Sequence, residues 1–304
     1  MKLFKRVTVT IMSVFAFFFS LVFKLAPNIY ATKSVSDSAI EYKAEYLYKK
    51  INDILLKYKD VPPEKFDDVC KEYMVKDIAS LNLLNKKDFE EKSKNSIILY
   101  RGINEKQFAD SFKKGIIYMP SNIRNVRGMG IYATTSFECA KYYSDKNDPQ
   151  TIIRMLIPKS KIKILEDEYL EKLKEKIRTM HPEEYGDFSK ENKENYIFDS
   201  ALGLLNEKFG ELFEKIDREQ IKDPDEIMRL QNELGEQLKK DPIIVNRKRY
   251  FKENKASVFY NSGLLTKLLG YDVLHSIGSL RDNIEIMEEE YLIVEPRILS
   301  ILNE

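Results

Sequence analysis

Apolar residues recur every three to four positions at Ile40, Ala44, Leu47, Ile51, Ile54 and Tyr58, which predicts an amphipathic helix over 36–58. Asp60-Val-Pro62-Pro63 stops it. A second helix is predicted from Pro63 to about Met74, a third over Ile78–Leu84, and the Lys- and Glu-rich stretch 85–95 reads as a linker or exposed turn. From Ser96 the pattern changes. Ile97–Tyr100, Gly115–Tyr118, Ile131–Thr135, Ile152–Ile157 and Lys161–Leu165 are short β-branched runs that read as strands, with short helices at Glu105–Lys113 and Phe137–Tyr143. Helical stripes then return: Leu165, Tyr169, Leu173, Ile177 and Met180; Leu205, Phe209, Leu212 and Ile216; Ile227, Leu230, Leu234 and Leu238. Pro182, Pro224 and Pro242 punctuate them. Val258–Leu269 reads as a helix capped by Gly270, and Tyr271–Leu274, Tyr291–Val294 and Ile298–Leu302 as closing strands. Short strands mixed with short helices predict an α+β fold. It has a helical forepart at 32–95 and a domain over 96–304 that carries a helical insertion at about 166–255.

The amino terminus stands apart. Lys2, Lys5 and Arg6 precede an uncharged run from Val7 to Phe23, and Pro27-Asn-Ile-Tyr-Ala31 offers a small residue for cleavage. This is the pattern of a secretory signal peptide over 1–31, with an uncleaved membrane anchor as the alternative. Its removal takes four basic and no acidic residues, leaving 46 basic against 49 acidic and a net charge of −3. The balance excludes a dedicated nucleic-acid binder, which carries a basic excess. At 43% hydrophobic, the chain can bury a core. Cys70 and Cys139 cannot form a disulfide scaffold, though one bridge or two buried thiols are both open.

Three separated stretches carry the candidate chemistry. Ser96–Gly102 is an apolar run that ends in Arg101 and Gly102. An arginine on a strand end can clamp phosphate through its planar fork. Gly128-Met-Gly-Ile-Tyr132-Ala-Thr134-Thr135-Ser136 is a glycine turn running into a strand that ends in hydroxyls. It matches the dinucleotide pattern G-x-G-x-x-A. However, that fingerprint needs a buried strand before it and a helix after it. Here polar Asn122–Arg127 precedes and β-branched Ile131–Thr135 follows, so a tight turn entering a strand fits better. Ser136 can cap the following helix, and the middle hydroxyl, Thr135, can orient a carboxylate. Finally, Glu288-Glu289-Glu290 precedes the apolar Tyr291–Val294. A carboxylate held at a strand edge can bond a ribose hydroxyl and stabilise an oxocarbenium-like state. His181 and His275 lack metal-ligand spacing with each other or with the cysteines, and no metal is expected.

Taken together, Leu99-Tyr-Arg-Gly102, Gly128–Ser136 with Ala140-Lys-Tyr-Tyr143, Leu269-Gly-Tyr-Asp-Val-Leu274 and Glu288–Glu290 resemble the ADP-ribosyltransferase fold of secreted bacterial toxins. They match its arginine–serine–glutamate class, with Thr134 where that class has its leading serine. The resemblance covers about 96–164 and 256–304. It implies split mixed β-sheets around an NAD cleft, with NAD as substrate and no metal. It also implies mono-ADP-ribosyl transfer to a protein side chain of a host or competitor, with arginine indicated by Glu288, and NAD glycohydrolysis as a side activity. Arg101 would hold the phosphates or the nicotinamide ribose. Gly102, Thr134, Thr135 and Ser136 would line and brace the site, and Tyr132 would stack on nicotinamide. Glu290 would stabilise the cation and Glu288 would polarise the acceptor, with Glu289 an alternative register for the catalytic carboxylate. The competing reading is a secreted or surface binding protein that keeps the fold without catalysis.

Overall fold

The computed structural model describes residues 36–62, 65, 69, 72–73, 81–117, 128–145, 148, 151–160, 162–185, 193–253, 256–279 and 287–303. The expected signal peptide, most of the helix after Pro63, Ile78–Ser80, Tyr118, the polar stretch before Gly128 and Cys70 lie outside them. The chain divides into two units, Met1–Ala39 and Ile40–Glu304, and the second holds the fold.

Eight strands form one mixed sheet: β1 (Asn82–Leu84), β2 (Ser96–Gly102), β3 (Ile131–Thr134), β4 (Ile152–Pro158), β5 (Ile164–Glu166), β6 (Val273–Ser279), β7 (Met287–Ile293) and β8 (Ser300–Leu302). Their spatial order is β1-β8-β4-β2-β3-β7-β6-β5. Only the two outer pairs, β1 with β8 and β5 with β6, are parallel. The helices are α1 (Asp37–Lys57), α2 (Lys86–Ser93), α3 (Lys106–Lys113), α4 (Phe137–Tyr142), α5 (Asp167–Met180), α6 (Pro182–Tyr185), α7 (Lys193–Arg218), α8 (Pro224–Leu238), α9 (Pro242–Glu253), α10 (Ala256–Phe259) and α11 (Ser262–Leu268). The class is α+β, as the mixed periodicity predicts.

Several boundaries differ from the sequence reading, each for a local reason. Residues 85–95 are not a linker. Asn85 caps α2 by accepting from Asp88 N at 2.9 Å, and Phe89 anchors the helix against Leu84, Leu156 and Leu302. Asn82–Leu84 is a strand, not the end of a helix, because it pairs with β8. The helix expected over Val258–Leu269 is broken at Asn261, whose side chain accepts from Leu264 N at 3.0 Å and starts α11 afresh. The acidic cluster does not precede the last long strand but lies within it, since β7 begins at Met287. Pro182, Pro224 and Pro242 each open a helix, the position where a missing N–H costs nothing.

The first helix of the forepart and the first helix of the insertion do not stand apart from the core. Ala44, Leu47, Ile51 and Ile54 of α1 are buried with Leu170, Leu173 and Ile177 of α5 and with Leu264 and Leu265 of α11. Burying each of the larger side chains contributes about 1.5–3 kcal/mol, so α1 is part of the domain and not a leader to it. His181 stacks on Tyr48 at 3.5 Å and Tyr48 donates to Glu184 at 2.7 Å, which seals the seam between α1 and the α5–α6 turn. Among the described residues, α7–α9 form a cluster of their own, with Ala201, Leu205, Phe209, Leu238 and Ile244.

Candidate functional site

The three motif stretches lie on adjacent strands, β2, β3 and β7. β2 pairs with β4 along its whole length, from Ser96 opposite Pro158 to Gly102 opposite Ile152. It joins β3 through a single register pair, Tyr100 opposite Thr134. The sheet is therefore two four-stranded halves, β1-β8-β4-β2 and β3-β7-β6-β5, that meet at one point. That point is where the arginine and the hydroxyl triplet stand.

The two faces of the sheet differ at this joint. On one face Leu99, Ala133, Met155 and Tyr291 belong to one apolar cluster that spans both halves and takes in Phe112 of α3. On the other face the apolar clusters are separate. Leu84, Phe89, Leu156 and Leu302 cover the first half, and Leu165, Leu274 and Leu292 pack with the helices over the second. Between them runs a cross-strand row of different chemistry: Arg154, Tyr100, Thr134, Glu290 and Ser276, each opposite the next. Because side chains alternate along a strand, this row faces one way. One face of the joint is filled with hydrocarbon, and the other presents a guanidinium, a phenol, two hydroxyls and a carboxylate.

Alternation assigns each expected residue to a face. Glu290, half-buried, shares the polar face with Thr134 and with Tyr132. Thr134 is 6% exposed and accepts from Ser136 N at 3.0 Å. Ser136 is the N-cap of α4, its hydroxyl accepting from Cys139 N at 3.1 Å. Tyr132 donates its hydroxyl to Gly128 O at 2.9 Å, which ties the ring to the turn that starts β3. Gly128 needs its lack of side chain, with φ at 92° and Asn261 Oδ1 only 1.9 Å from where a Cβ would sit. The Gly128–Gly130 stretch leads into a strand, so the tight-turn reading holds over the dinucleotide one. The backbone of Glu288 lies opposite Gly278 in β6, while its side chain falls outside the described residues.

Arg101 stands on the filled face, opposite Ile153, and is not brought together with Glu290. Its Nη1 donates to Tyr132 O at 3.1 Å, and its guanidinium lies 5.5 Å from the Phe112 ring. That bond crosses from β2 to β3 beside their one register pair, so a side chain continues the ladder where the backbones diverge. Its Nε is sealed from solvent and has no hydrogen-bond partner among the described residues. Burial pushes the Arg101 pKa down to about 10, against smaller opposing effects of Tyr132 and Glu105, so it stays charged near neutrality. Gly102 follows as the contact point for α4. A Cβ there would fall 1.9 Å from Ala140 O, so the glycine lets the helix end close on β2.

Arg154 was not among the expected site residues. It is the exposed arginine of the polar row, and its guanidinium has no partner among the described residues. A cue was present: it is the one charge inside the otherwise apolar Ile152–Ile157. Glu289, on the filled face, accepts from Thr135 Oγ1 at 3.0 Å and from Tyr291 OH at 3.3 Å. His275 is buried beneath, 2.7 Å from Glu166 Oε2 and 4.7 Å from the Tyr291 ring. No group of three or more His, Cys, Asp or Glu that could hold a metal occurs among the described residues, and none of the described helices is long and apolar enough to cross a membrane. Compared with protein-family models, with curated proteins and with solved structures, the chain returns no match.

Proposed function

We propose that this protein is a secreted NAD-dependent mono-ADP-ribosyltransferase that modifies a protein side chain, arginine by preference, and hydrolyses NAD when no acceptor is bound. The observation that carries this reading is the row Arg154–Tyr100–Thr134–Glu290–Ser276 on one face of the joint between two half-sheets, with Arg154 exposed, Tyr100 and Glu290 half-buried, and Thr134 and Ser276 buried. Adjacent strands lie about 4.8 Å apart, so Arg154 and Glu290, three strands apart, are separated by roughly 14 Å at the backbone. That span lets one end of the row meet a diphosphate while the other meets the nicotinamide ribose of the same dinucleotide. The near-split of the sheet also agrees with the split-sheet architecture that the resemblance implies.

In this reading the Arg154 guanidinium takes the diphosphate through its planar fork. Arg101 holds β2 to β3 from behind and fixes the strand end that faces the phosphates. The Glu290 carboxylate bonds a ribose hydroxyl and faces the positive charge that builds on C1′ as the C1′–nicotinamide bond breaks. Nicotinamide leaves with the bonding pair, which neutralises its ring nitrogen. The acceptor then attacks C1′ and loses a proton, with Glu288 on the adjoining stretch of β7 as the polarising carboxylate. Water in the acceptor's place gives hydrolysis.

The test is incubation of the mature chain with NAD labelled in the adenine ring, with and without a lysate of candidate target cells. Label transferred to protein is the expected result. Free labelled ADP-ribose alone reduces the reading to a glycohydrolase, and intact NAD in both arms points to a binding protein that keeps the fold. Export is part of the proposal, and rests on the basic start and apolar run of residues 2–23. Mass spectrometry of material from the culture medium is expected to show a start near Thr32, and finding Met1 retained in a membrane fraction would overturn it.

A further inference from the structure

The pairing of β3 with β7 ends at Thr134 opposite Glu290. Beyond it β7 continues for three residues, Glu289, Glu288 and Met287, paired only with β6 on its other edge. The chain after Thr134 turns away into Ser136 and α4. Backbone hydrogen bonds therefore stop at the residue on which the proposed chemistry depends. What crosses the gap is a side-chain bond, Thr135 Oγ1 to Glu289 Oε2 at 3.0 Å. The same oxygen accepts from Tyr291 OH at 3.3 Å, along the strand's own filled face. Tyr291 is held in turn, 2% exposed and packed on the buried His275 ring. Glu289 is thus fixed from two directions, one donor on β7 and one on the end of β3.

We propose that Glu289 is a positioning residue: its carboxylate clamps the Thr134–Ser136 turn to β7 and so sets the placement of Glu290 on the opposite face. This rests on the transferase reading for its link to turnover, but not for its structural content. The role needs an acceptor for two hydroxyl donors and does not need charge. Glutamine supplies that acceptor and leucine does not. A bond from the Thr135 hydroxyl is equally required, and valine removes it without changing shape. Both bonds lie on the face of the sheet away from Glu290, so a dinucleotide bound along the Glu290 row does not touch them. A loosened turn misplaces Glu290 for the transition state more than for ground-state binding.

Two measurements on the mature chain test this. In steady-state NAD hydrolysis, Glu289→Leu and Thr135→Val are expected to lower kcat about tenfold with KM for NAD within about twofold, a loss of orientation and not of binding. Glu289→Gln is expected to stay within about threefold of the parent, since the neutral acceptor restores both bonds. Amide hydrogen exchange, read by NMR without NAD, should quicken at Ser136 and Glu290 in Glu289→Leu and Thr135→Val but not in Glu289→Gln. Glu289→Gln losing as much as Glu290→Gln would overturn the proposal, because the charge would then be in the chemistry. Parent-like kcat in both Glu289→Leu and Thr135→Val would overturn it as well. If the parent does not turn over NAD, the transferase reading fails by itself, and the exchange pattern alone decides the clamp. Thr135→Val, nearly isosteric, serves if Glu289→Leu does not fold.

Discussion

Glu290→Gln is expected to lower ADP-ribosyl transfer and NAD hydrolysis together, by about 100-fold or more, the scale of losing one electrostatic stabiliser of a transition state. Glutamine keeps the shape of the side chain in the row with Thr134 and Ser276, so NAD affinity should change little while kcat falls. Glu288→Gln is expected to act differently. It leaves bond cleavage largely intact and removes help to the acceptor, so transfer to arginine falls while hydrolysis persists. Thermal melts must first show both variants folded. If Glu288→Gln abolishes hydrolysis and Glu290→Gln does not, the roles of the acidic cluster are reversed. If neither matters, the cluster is a strand of solvated carboxylates and the transferase reading loses its catalytic group.

Arg154 and Arg101 are expected to separate binding from architecture. Arg154→Gln removes an exposed guanidinium that nothing else among the described residues engages, so the melting temperature should hold while NAD binding weakens by roughly 1–3 kcal/mol, in the range of charge-assisted hydrogen bonds. The loss should shrink as salt rises, because the lost attraction is screened. Arg101→Lys keeps the charge but loses the fork that reaches Tyr132 O. It should lower stability by about 1–2 kcal/mol, since the joint loses its side-chain rung and a buried charge loses a partner, and weaken NAD binding less than Arg154→Gln does, because the side chain lies on the face away from the row. Calorimetric melts and NAD titrations on the two variants check this. Unchanged NAD affinity in a folded Arg154→Gln would remove the diphosphate role, and a stability loss equal to that of Arg101→Lys would mean that Arg154 is structural too.

Periodicity in the sequence determined much of this protein. The stripe from Ile40 to Tyr58 is a helix because its apolar side chains fall on one face, and that face is buried at Ala44, Leu47, Ile51 and Ile54. The β-branched runs at Ile131 and Ile152 are strands for the same local reason. Ser136 was legible as a cap from its place before Phe137, and the glycine turn as a strand entry from the residues after it. What sequence could not carry was which residues share a face across different strands. Alternation within β7 is visible in the order of its letters, but whether Glu289 or Glu290 faces the open side depends on its register against β3, and that pairing joins residues more than 150 positions apart. The same non-local pairing put Arg101 on the filled face and brought Arg154, an unremarked charge in an apolar strand, into line with Glu290. It also turned Asn82–Leu84 into an edge strand, because only β8 offers it backbone partners. Local side-chain pattern decides what each element is. Which chemistry meets at the joint was decided by long-range backbone hydrogen bonds, whose partners leave no mark on the residues around them.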